Sequence, residues 1–121
     1  MIKNGGGKII NITTVATDMP PENQTSYVVS KSGLVGLTRC LAIEFVKHNI
    51  QVNMVAPSIV ETDLTKNVSK VFINKMINDT PMKRNATPID VANAVVFLAS
   101  SMASFTTGQR IMVSGGNPPF I

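Results

Sequence analysis

The alternation of apolar and polar positions predicts a strand, a helix and a second strand over the first half of this chain. Short β-branched apolar runs at residues 8–13 and 51–56 are typical of strands buried inside a sheet. Between them, apolar side chains recur at helical spacing: Leu34, Leu37, Leu41 and Phe45. A strand, a crossover helix and a strand form a parallel pair, so the carboxyl ends of both strands meet at one edge of the sheet.

Helix-breaking and capping residues predict where this helix begins and ends. Residues 17–25 contain prolines, Asp and Asn, which favour a loop, and the hydroxyl of Thr25 or Ser26 is expected to cap the helix that follows. His48 and Asn49 are expected to end the helix, because asparagine tolerates the left-handed conformation that glycine otherwise supplies there.

Three small residues lie within the same helix. Gly33 and Gly36 each weaken it by up to about 1 kcal/mol relative to alanine, and we expect another backbone to pack closely against them. Cys40, the only cysteine, is expected to be a small buried apolar side chain. A single cysteine cannot form an internal disulfide, which fits a cytoplasmic protein.

The second half of the chain predicts two further helical regions and a last strand. Residues 62–78 form one or two amphipathic helices by periodicity. The Thr87-Pro88-Ile89-Asp90 segment is a helix start, with a capping threonine, a proline at the first position and an acid in the first turn. Residues 110–113 predict the last strand, and residues 117–121 are expected to be irregular.

Three side chains form a candidate proton-transfer site for a carbonyl or an alcohol. Tyr27 and Lys31 are four residues apart, so they share one face of the predicted helix. Tyrosine has a reference pKa of about 10, and a neighbouring ammonium favours the phenolate that proton exchange near neutrality requires. Thr14 directly follows the first strand, from where its hydroxyl can hold the substrate oxygen against the tyrosine. The segment Pro57–Thr62 leaves the second strand at the same edge, where parallel sheets bind ligands.

Composition narrows the range of partners. The net charge of +4 suits an anionic cofactor or carrier. The basic residues are scattered and aromatic residues make up only 5% of the chain, which argues against a nucleic-acid surface. The one histidine, His48, has no cysteine or histidine at ligand spacing, so no metal site is expected. No apolar run approaches the roughly 20 residues of a membrane span, so no membrane partner is expected.

Several ordered motifs together resemble the short-chain dehydrogenase/reductase family, and most closely its 3-oxoacyl-acyl-carrier-protein reductases. Asn11-Ile12-Thr13-Thr14 is similar to the family's Asn-x-Ser-Ser segment, and Tyr27 with Lys31 matches Tyr-x-x-x-Lys. Pro57–Thr62 is similar to the Pro-Gly-x-x-x-Thr loop. The resemblance implies an α/β fold, the C-terminal part of a Rossmann-like doubly wound parallel sheet. It implies about three strands with flanking helices and one partial catalytic domain over 1–121, without the N-terminal nucleotide-binding half.

The resemblance also implies a role for each motif residue in an NAD(P)-dependent oxidoreductase. Thr14, Tyr27 and Lys31 would be catalytic, with Thr14 in the place of the family's serine. The residues implied to bind the cofactor are Tyr27, Lys31, Pro57, Ser58, Val60 and Thr62. The cofactor would be NAD or NADP, with a slight preference for NADPH. Ser58 stands where the family has glycine, and a positive φ there would strain a serine by about 1 kcal/mol.

The implied substrate is a carbonyl on a small molecule or on an acyl carrier, and the implied assembly is a homodimer or homotetramer. The family pairs subunits through its last helix and last strand, which correspond to residues 88–100 and 110–113. No glycine-rich loop follows a strand here, since Gly5-Gly6-Gly7 precedes one. We therefore expect the chain not to bind NAD(P) by itself. An inactive fragment, or a pseudoenzyme subunit that acts through oligomer contacts, is the alternative interpretation.

Overall fold

A computed structural model describes residues 1–117, except for the side chain of Leu64. The irregular segment predicted after Gly116 therefore lies, from residue 118 onward, outside the described residues. The regular elements are β1 (Gly7–Ile12), α1 (Thr25–Phe45), β2 (Ile50–Pro57), α2 (Lys70–Asp79), α3 (Pro88–Ala99) and β3 (Arg110–Val113). Within this part of the chain, no helix is long and apolar enough to cross a membrane.

The three strands form one parallel sheet in the order β1-β2-β3. Ile12 of β1 lies opposite Val55 of β2, and Met54 of β2 lies opposite Arg110 of β3. Because all three strands run the same way, their carboxyl ends share one edge of the sheet. The predicted α/β fold class and all three predicted strands are confirmed.

Helices cover both faces of this sheet. On one face Ala42 of α1 packs with Val52 and with the partly buried Ile9. On the other face Leu98 of α3 packs with Val55 and with the partly buried Ile10. Neighbouring residues of a strand point to opposite faces, so Ile9 and Ile10 contact different helices. The sheet is therefore a middle layer, as in doubly wound folds.

The ends of α1 and β2 differ in detail from the prediction. Thr25 is the first helical residue and Gln24 occupies the capping position without a side-chain hydrogen bond, so the predicted threonine or serine cap is wrong. At the other end Asn49 adopts the predicted left-handed conformation, with φ 56°, after a short 3₁₀ turn. β2 includes Pro57, because the ladder beyond it uses the N–H of Ser58, which donates to the Val113 carbonyl at 3.0 Å.

One face of α1 is exposed, contrary to two predictions. Cys40 is exposed rather than buried. A methyl group built onto Gly33 or Gly36 would meet no atom within 4 Å, so no backbone packs against these glycines among the described residues. The exposed apolar residues of this face are Val29, Leu37 and Ile43. The helix contacts the sheet through the opposite face. Apolar periodicity alone does not show which face is buried, because both faces of α1 carry apolar residues.

Candidate active site

The candidate active site lies at the carboxyl edge of β1 and β2. The backbone N–H of Thr13 donates to the Val55 carbonyl at 2.8 Å, and the Thr13 hydroxyl donates to the same carbonyl at 3.2 Å. Thr13 thus continues the β1–β2 pairing, and Thr14 is the first residue beyond it. The segments that leave the two strands begin side by side, as the parallel pairing predicts.

Lys31 connects the first half of α1 to the end of β1. Its ammonium donates a hydrogen bond of 2.8 Å to the carbonyl oxygen of Ile12, two residues before Thr14. An ammonium has three donor hydrogens, so further donors remain available for a ligand. The helix face that carries Lys31 is therefore directed at the edge of the sheet where Thr14 lies.

Tyr27 lies one helical turn before Lys31 on the same face of α1. The residue is 43% exposed, and its hydroxyl forms no hydrogen bond with another residue of the described chain. The phenol is thus open to a ligand, whereas its ring is held by the helix. The structure places Tyr27 and Lys31 on one face, as the spacing predicts, and Lys31 at the strand that leads to Thr14.

The hydroxyl of Thr14 is oriented by its own backbone. Thr14 is 8% exposed and precedes a 3₁₀ turn formed by Val15–Thr17. Its side-chain oxygen accepts a hydrogen bond of 3.2 Å from the N–H of Ala16, as an N-cap residue does. Because the oxygen accepts from Ala16, the hydroxyl hydrogen remains available to donate to a bound oxygen.

The loop after β2 is fixed at its start without strain. Pro57 is buried, and Ser58 donates its N–H to Val113 as described above. Ser58 is not among the residues with positive φ, which are Asn23, Asn49, Lys83 and several glycines. The strain considered for serine in this position is therefore absent.

Val60 turns its own peptide groups away from Ala86, the residue with which it is paired. Val60 and Ala86 form an isolated parallel bridge, in which Glu61 donates to the Ala86 carbonyl at 3.0 Å and Ala86 donates to the Ile59 carbonyl at 3.1 Å. This pattern uses both backbone groups of Ala86 but neither of Val60, so the N–H and the C=O of Val60 point away from Ala86. There the Val60 carbonyl accepts a hydrogen bond of 3.4 Å from the Thr65 hydroxyl. The Val60 N–H can donate to the oxygen of a primary carboxamide.

Thr62 lies at the outer end of this loop, at the start of a 3₁₀ turn over Asp63–Thr65. The residue is exposed, and its N–H donates to the hydroxyl of Thr65 at 3.0 Å. The described contacts place Pro57 and Ser58 at the sheet edge and pair Val60 with Ala86, whereas Thr62 begins the segment that leads away to α2.

A cluster of polar contacts fixes the segment that carries Ala86. Arg84 binds both carboxylate oxygens of Asp90, at 2.7 and 3.1 Å, while Thr87 donates its N–H and its hydroxyl to the same carboxylate, each at 2.8 Å. The Arg84 guanidinium, followed by the two Thr87 donors, holds the pKa of the Asp90 carboxyl well below its usual range. The predicted helix start at Thr87 is confirmed, and it also anchors the strand-like partner of Val60.

Neutralising Asp90 should make the protein less stable and remove part of its acid sensitivity. A carboxyl whose pKa is lowered by folding stabilises the protein above its unfolded pKa, about 3.9, and loses this contribution as the pH falls through the folded pKa. We therefore expect Asp90→Asn to lower the urea midpoint at pH 7, with a difference from the wild type that shrinks progressively below pH 4. Glu22→Gln, at an exposed carboxylate outside any ion pair of residues 1–117, is the control. A difference that stays constant down to pH 2 would contradict the assignment.

Two contacts near Thr14 could not be found from sequence patterns. Arg110 of β3 lies 2.7 Å from Asp18 and 3.1 Å from the hydroxyl of Thr17, just after the Thr14 turn. Arg110 and Thr17 are 93 positions apart, and neither belongs to a motif. Ala86 likewise carries no local signal that it pairs with Val60.

A parallel sheet covered on both faces, with a Tyr-x-x-x-Lys helix directed at its carboxyl edge, is the arrangement of Rossmann-like oxidoreductases. The family model described as "Enoyl-(Acyl carrier protein) reductase" matches residues 1–117. The chain belongs to the short-chain dehydrogenase/reductase family and is similar to its 3-oxoacyl-acyl-carrier-protein reductases.

Curated relatives show the same similarity over nearly the whole chain. The 3-oxoacyl-(acyl-carrier-protein) reductase FabG of Buchnera aphidicola subsp. Schizaphis graminum is 43% identical over 116 residues, which are 96% of this chain and 48% of the relative. FabG of Aquifex aeolicus is 41% identical over 116 residues, 96% of this chain and 47% of the relative. The chain thus spans about half the length of the curated relatives it matches.

Solved structures agree in fold. A 7α-hydroxysteroid dehydrogenase, in complex with NADH and 7-oxo glycochenodeoxycholic acid, superposes with a TM-score of 0.92 at 43% identity, over 97% of this chain and 46% of that protein. A 3-oxoacyl-(acyl-carrier-protein) reductase from Brucella melitensis gives a TM-score of 0.90 at 32% identity, over 96% of this chain and 44% of that protein.

Proposed function

We propose that this chain supplies the catalytic residues of an NAD(P)-dependent oxidoreductase that interconverts a carbonyl and an alcohol. The observation that carries the proposal is the 2.8 Å hydrogen bond from Lys31 to the Ile12 carbonyl. This contact directs the Tyr27–Lys31 helix face to the strand end that presents Thr14. A solvated surface pair of tyrosine and lysine would have no reason to contact that strand.

Each of the three residues then has a distinct role. Thr14 donates its hydroxyl hydrogen to the substrate oxygen and holds it in place. Tyr27 transfers a proton from its phenol oxygen to that oxygen during reduction and takes it back during oxidation. Lys31 stabilises the phenolate that remains, and its other donors hold the ribose hydroxyls of the cofactor. A nicotinamide held by these residues would supply the hydride that reduces the carbonyl carbon.

The cofactor would be NAD or NADP, bound at its nicotinamide end by the loop after β2. Pro57 and Ser58 set the direction of this loop, and the backbone N–H of Val60 would donate to the carboxamide oxygen. Thr62 would add its hydroxyl to the same group. The positive net charge of +4 slightly favours NADPH, which carries the extra phosphate.

The proposed substrate class is a ketone, either on a small molecule or on a thioester linked to an acyl carrier. The relatives named 3-oxoacyl-(acyl-carrier-protein) reductase support the second form, whereas the steroid dehydrogenase similar in structure supports the first. Activity requires the nucleotide-binding half of the family fold, so the test below supplies it.

A second candidate function is that of a non-catalytic subunit that acts through contacts with other chains. One observation favours it: α1 exposes the apolar residues Val29, Leu37 and Ile43 on one face. A chimera in which the nucleotide-binding half of the Buchnera aphidicola reductase precedes Met1 separates the two functions. NADPH-dependent ketone reduction by this chimera supports catalysis, and a folded but inactive chimera supports the second function.

Substitutions of Thr14 test the proposed role of its hydroxyl. In the chimera we expect Thr14→Ser to equal or exceed the parent rate, because serine keeps the hydroxyl without the β-methyl group. We expect Thr14→Val, which keeps the shape but removes the hydroxyl, to lower kcat about 100-fold, as loss of a substrate-orienting donor does. Initial rates at saturating NADPH measure both effects. Equal rates for Thr14→Ser and Thr14→Val would contradict the role.

We also propose that the protein forms a dimer or tetramer in which α3 and β3 pair with their counterparts. Ile89, Val96 and Phe97 of α3 are exposed apolar residues, and β3 is an edge strand of the described sheet. Sedimentation at micromolar concentration should show an oligomer that Val96→Lys weakens. Val71→Lys, at a valine on α2 that is even more exposed, should leave it unchanged. A folded wild type that sediments only as a monomer would contradict the proposal.

A further inference from the structure

We propose that Arg110 is a positioning residue for the turn that begins at Thr14. From β3, it binds the two residues that end this turn and so fixes the direction of the Thr14 hydroxyl. The effect of that direction on catalysis rests on the proposed function. The stabilisation of the turn by Arg110 does not rest on it.

The first observation is a shielded ion pair between β3 and the loop that follows β1. The guanidinium of Arg110 lies 2.7 Å from an Asp18 carboxylate oxygen, and the side chains are 9% and 23% exposed. Little water competes for such a pair, so it holds its geometry better than a pair on the open surface. β2 separates β3 from β1, so the contact joins β3 to the loop that follows the strand at the opposite side of the described sheet.

The second observation connects the pair to Thr14. The same Arg110 nitrogen donates to the Thr17 hydroxyl oxygen at 3.1 Å, and this hydroxyl donates to the Thr14 carbonyl at 2.9 Å. Asp18 donates its N–H to the Val15 carbonyl at 3.0 Å and closes the 3₁₀ turn. Arg110 therefore binds the side chains of both residues whose hydrogen bonds close the turn.

The closed turn fixes the orientation of the Thr14 hydroxyl. Its oxygen accepts from Ala16, the central residue of the turn, at 3.2 Å. If the turn opens, this acceptor bond is lost and the hydroxyl can rotate away from the substrate position. A short 3₁₀ turn has weak hydrogen bonds of its own, so a contact from outside has a large share in keeping it closed.

Amide hydrogen exchange of the 121-residue chain tests the hold on the turn. The probes are the amides of Ala16 and Asp18, and the references are Met54 and Ser58, whose N–H groups bind Gln109 and Val113. We expect Arg110→Met and Asp18→Asn each to raise exchange about 10-fold at the probes and less than about twofold at the references. Arg39→Met, at an exposed arginine of α1, should change neither. Unchanged probes, or an equal rise at all four amides, would overturn the proposal.

The chimera described above tests whether Arg110 acts through Thr14. We expect Arg110→Met to lower kcat about 10-fold without changing the KM for NADPH, and Arg110→Lys to restore part of the loss. In a Thr14→Val background, Arg110→Met should cost nothing further, because the hydroxyl that it orients is absent. Additive losses would show that Arg110 does not act through Thr14 and would overturn the positioning role. An inactive parent chimera would contradict the proposed function, and the exchange experiment would still decide whether Arg110 holds the turn.

Discussion

Replacing Tyr27 by phenylalanine should abolish ketone reduction by the chimera. The substitution removes one oxygen, and with it the group that we propose exchanges the proton with the substrate. General acid–base catalysis contributes about 10² to 10⁴ in rate, so we expect kcat to fall by at least about 100-fold. The measurement is NADPH oxidation in the presence of a ketone at saturating concentrations. A rate that Tyr27→Phe leaves unchanged would disprove the assignment.

The structure separates this chemical effect from a loss of stability. The Tyr27 hydroxyl forms no hydrogen bond within residues 1–117, and the residue is 43% exposed. Surface substitutions of this kind change the free energy of unfolding by less than about 0.5 kcal/mol. The urea midpoint of Tyr27→Phe should therefore equal that of the parent. Lys31→Met should also inactivate the chimera, whereas Lys47→Met, at an exposed lysine beyond the end of α1, should not.

Local patterns predicted the elements that bring Tyr27 and Lys31 near Thr14. The β-branched runs of β1 and β2 and the spacing of four residues between Tyr27 and Lys31 depend on neighbours in sequence. Parallel pairing then places the ends of β1 and β2 together. The same reasoning predicted the start of α3, because Thr87 and Asp90 satisfy each other's backbone groups within one turn.

Contacts between distant segments could not be predicted in this way. Arg110 binds Asp18 and Thr17 across two strand spacings, and Ala86 pairs with Val60 through backbone groups that any residue has. The covered face of α1 was also ambiguous, since Leu37 and Leu41 fit one apolar spacing but only Leu41 packs on the sheet. Which apolar face of a helix is buried depends on the elements that pack against it, and the helical period of the sequence does not specify those elements.

The chain alone should bind neither NADH nor NADPH with micromolar affinity. In the proposed function, the N–H of Val60 and the ammonium of Lys31 would contact only the nicotinamide end of the cofactor. Dinucleotide binding depends on pyrophosphate contacts with a glycine-rich turn and the helix N-terminus that follows it. In this chain the segment between β1 and α1 carries Pro20 and Pro21 and no glycine-rich turn. Its first residues form the 3₁₀ turn that begins at Thr14.

Calorimetric titration of the 121-residue chain with each cofactor measures this directly, and the chimera is the matched positive control. We expect saturation of the chimera at micromolar NADPH and no detectable heat of binding for the chain alone up to about 1 mM, a difference of at least about 4 kcal/mol in binding free energy. β1 is an edge strand of the described sheet and Ile12 at its end is 41% exposed, so the chain alone should also self-associate through this edge. Micromolar binding by a monomeric chain would show that the contacts of Val60 and Lys31 suffice, and that pyrophosphate recognition is not what limits its affinity.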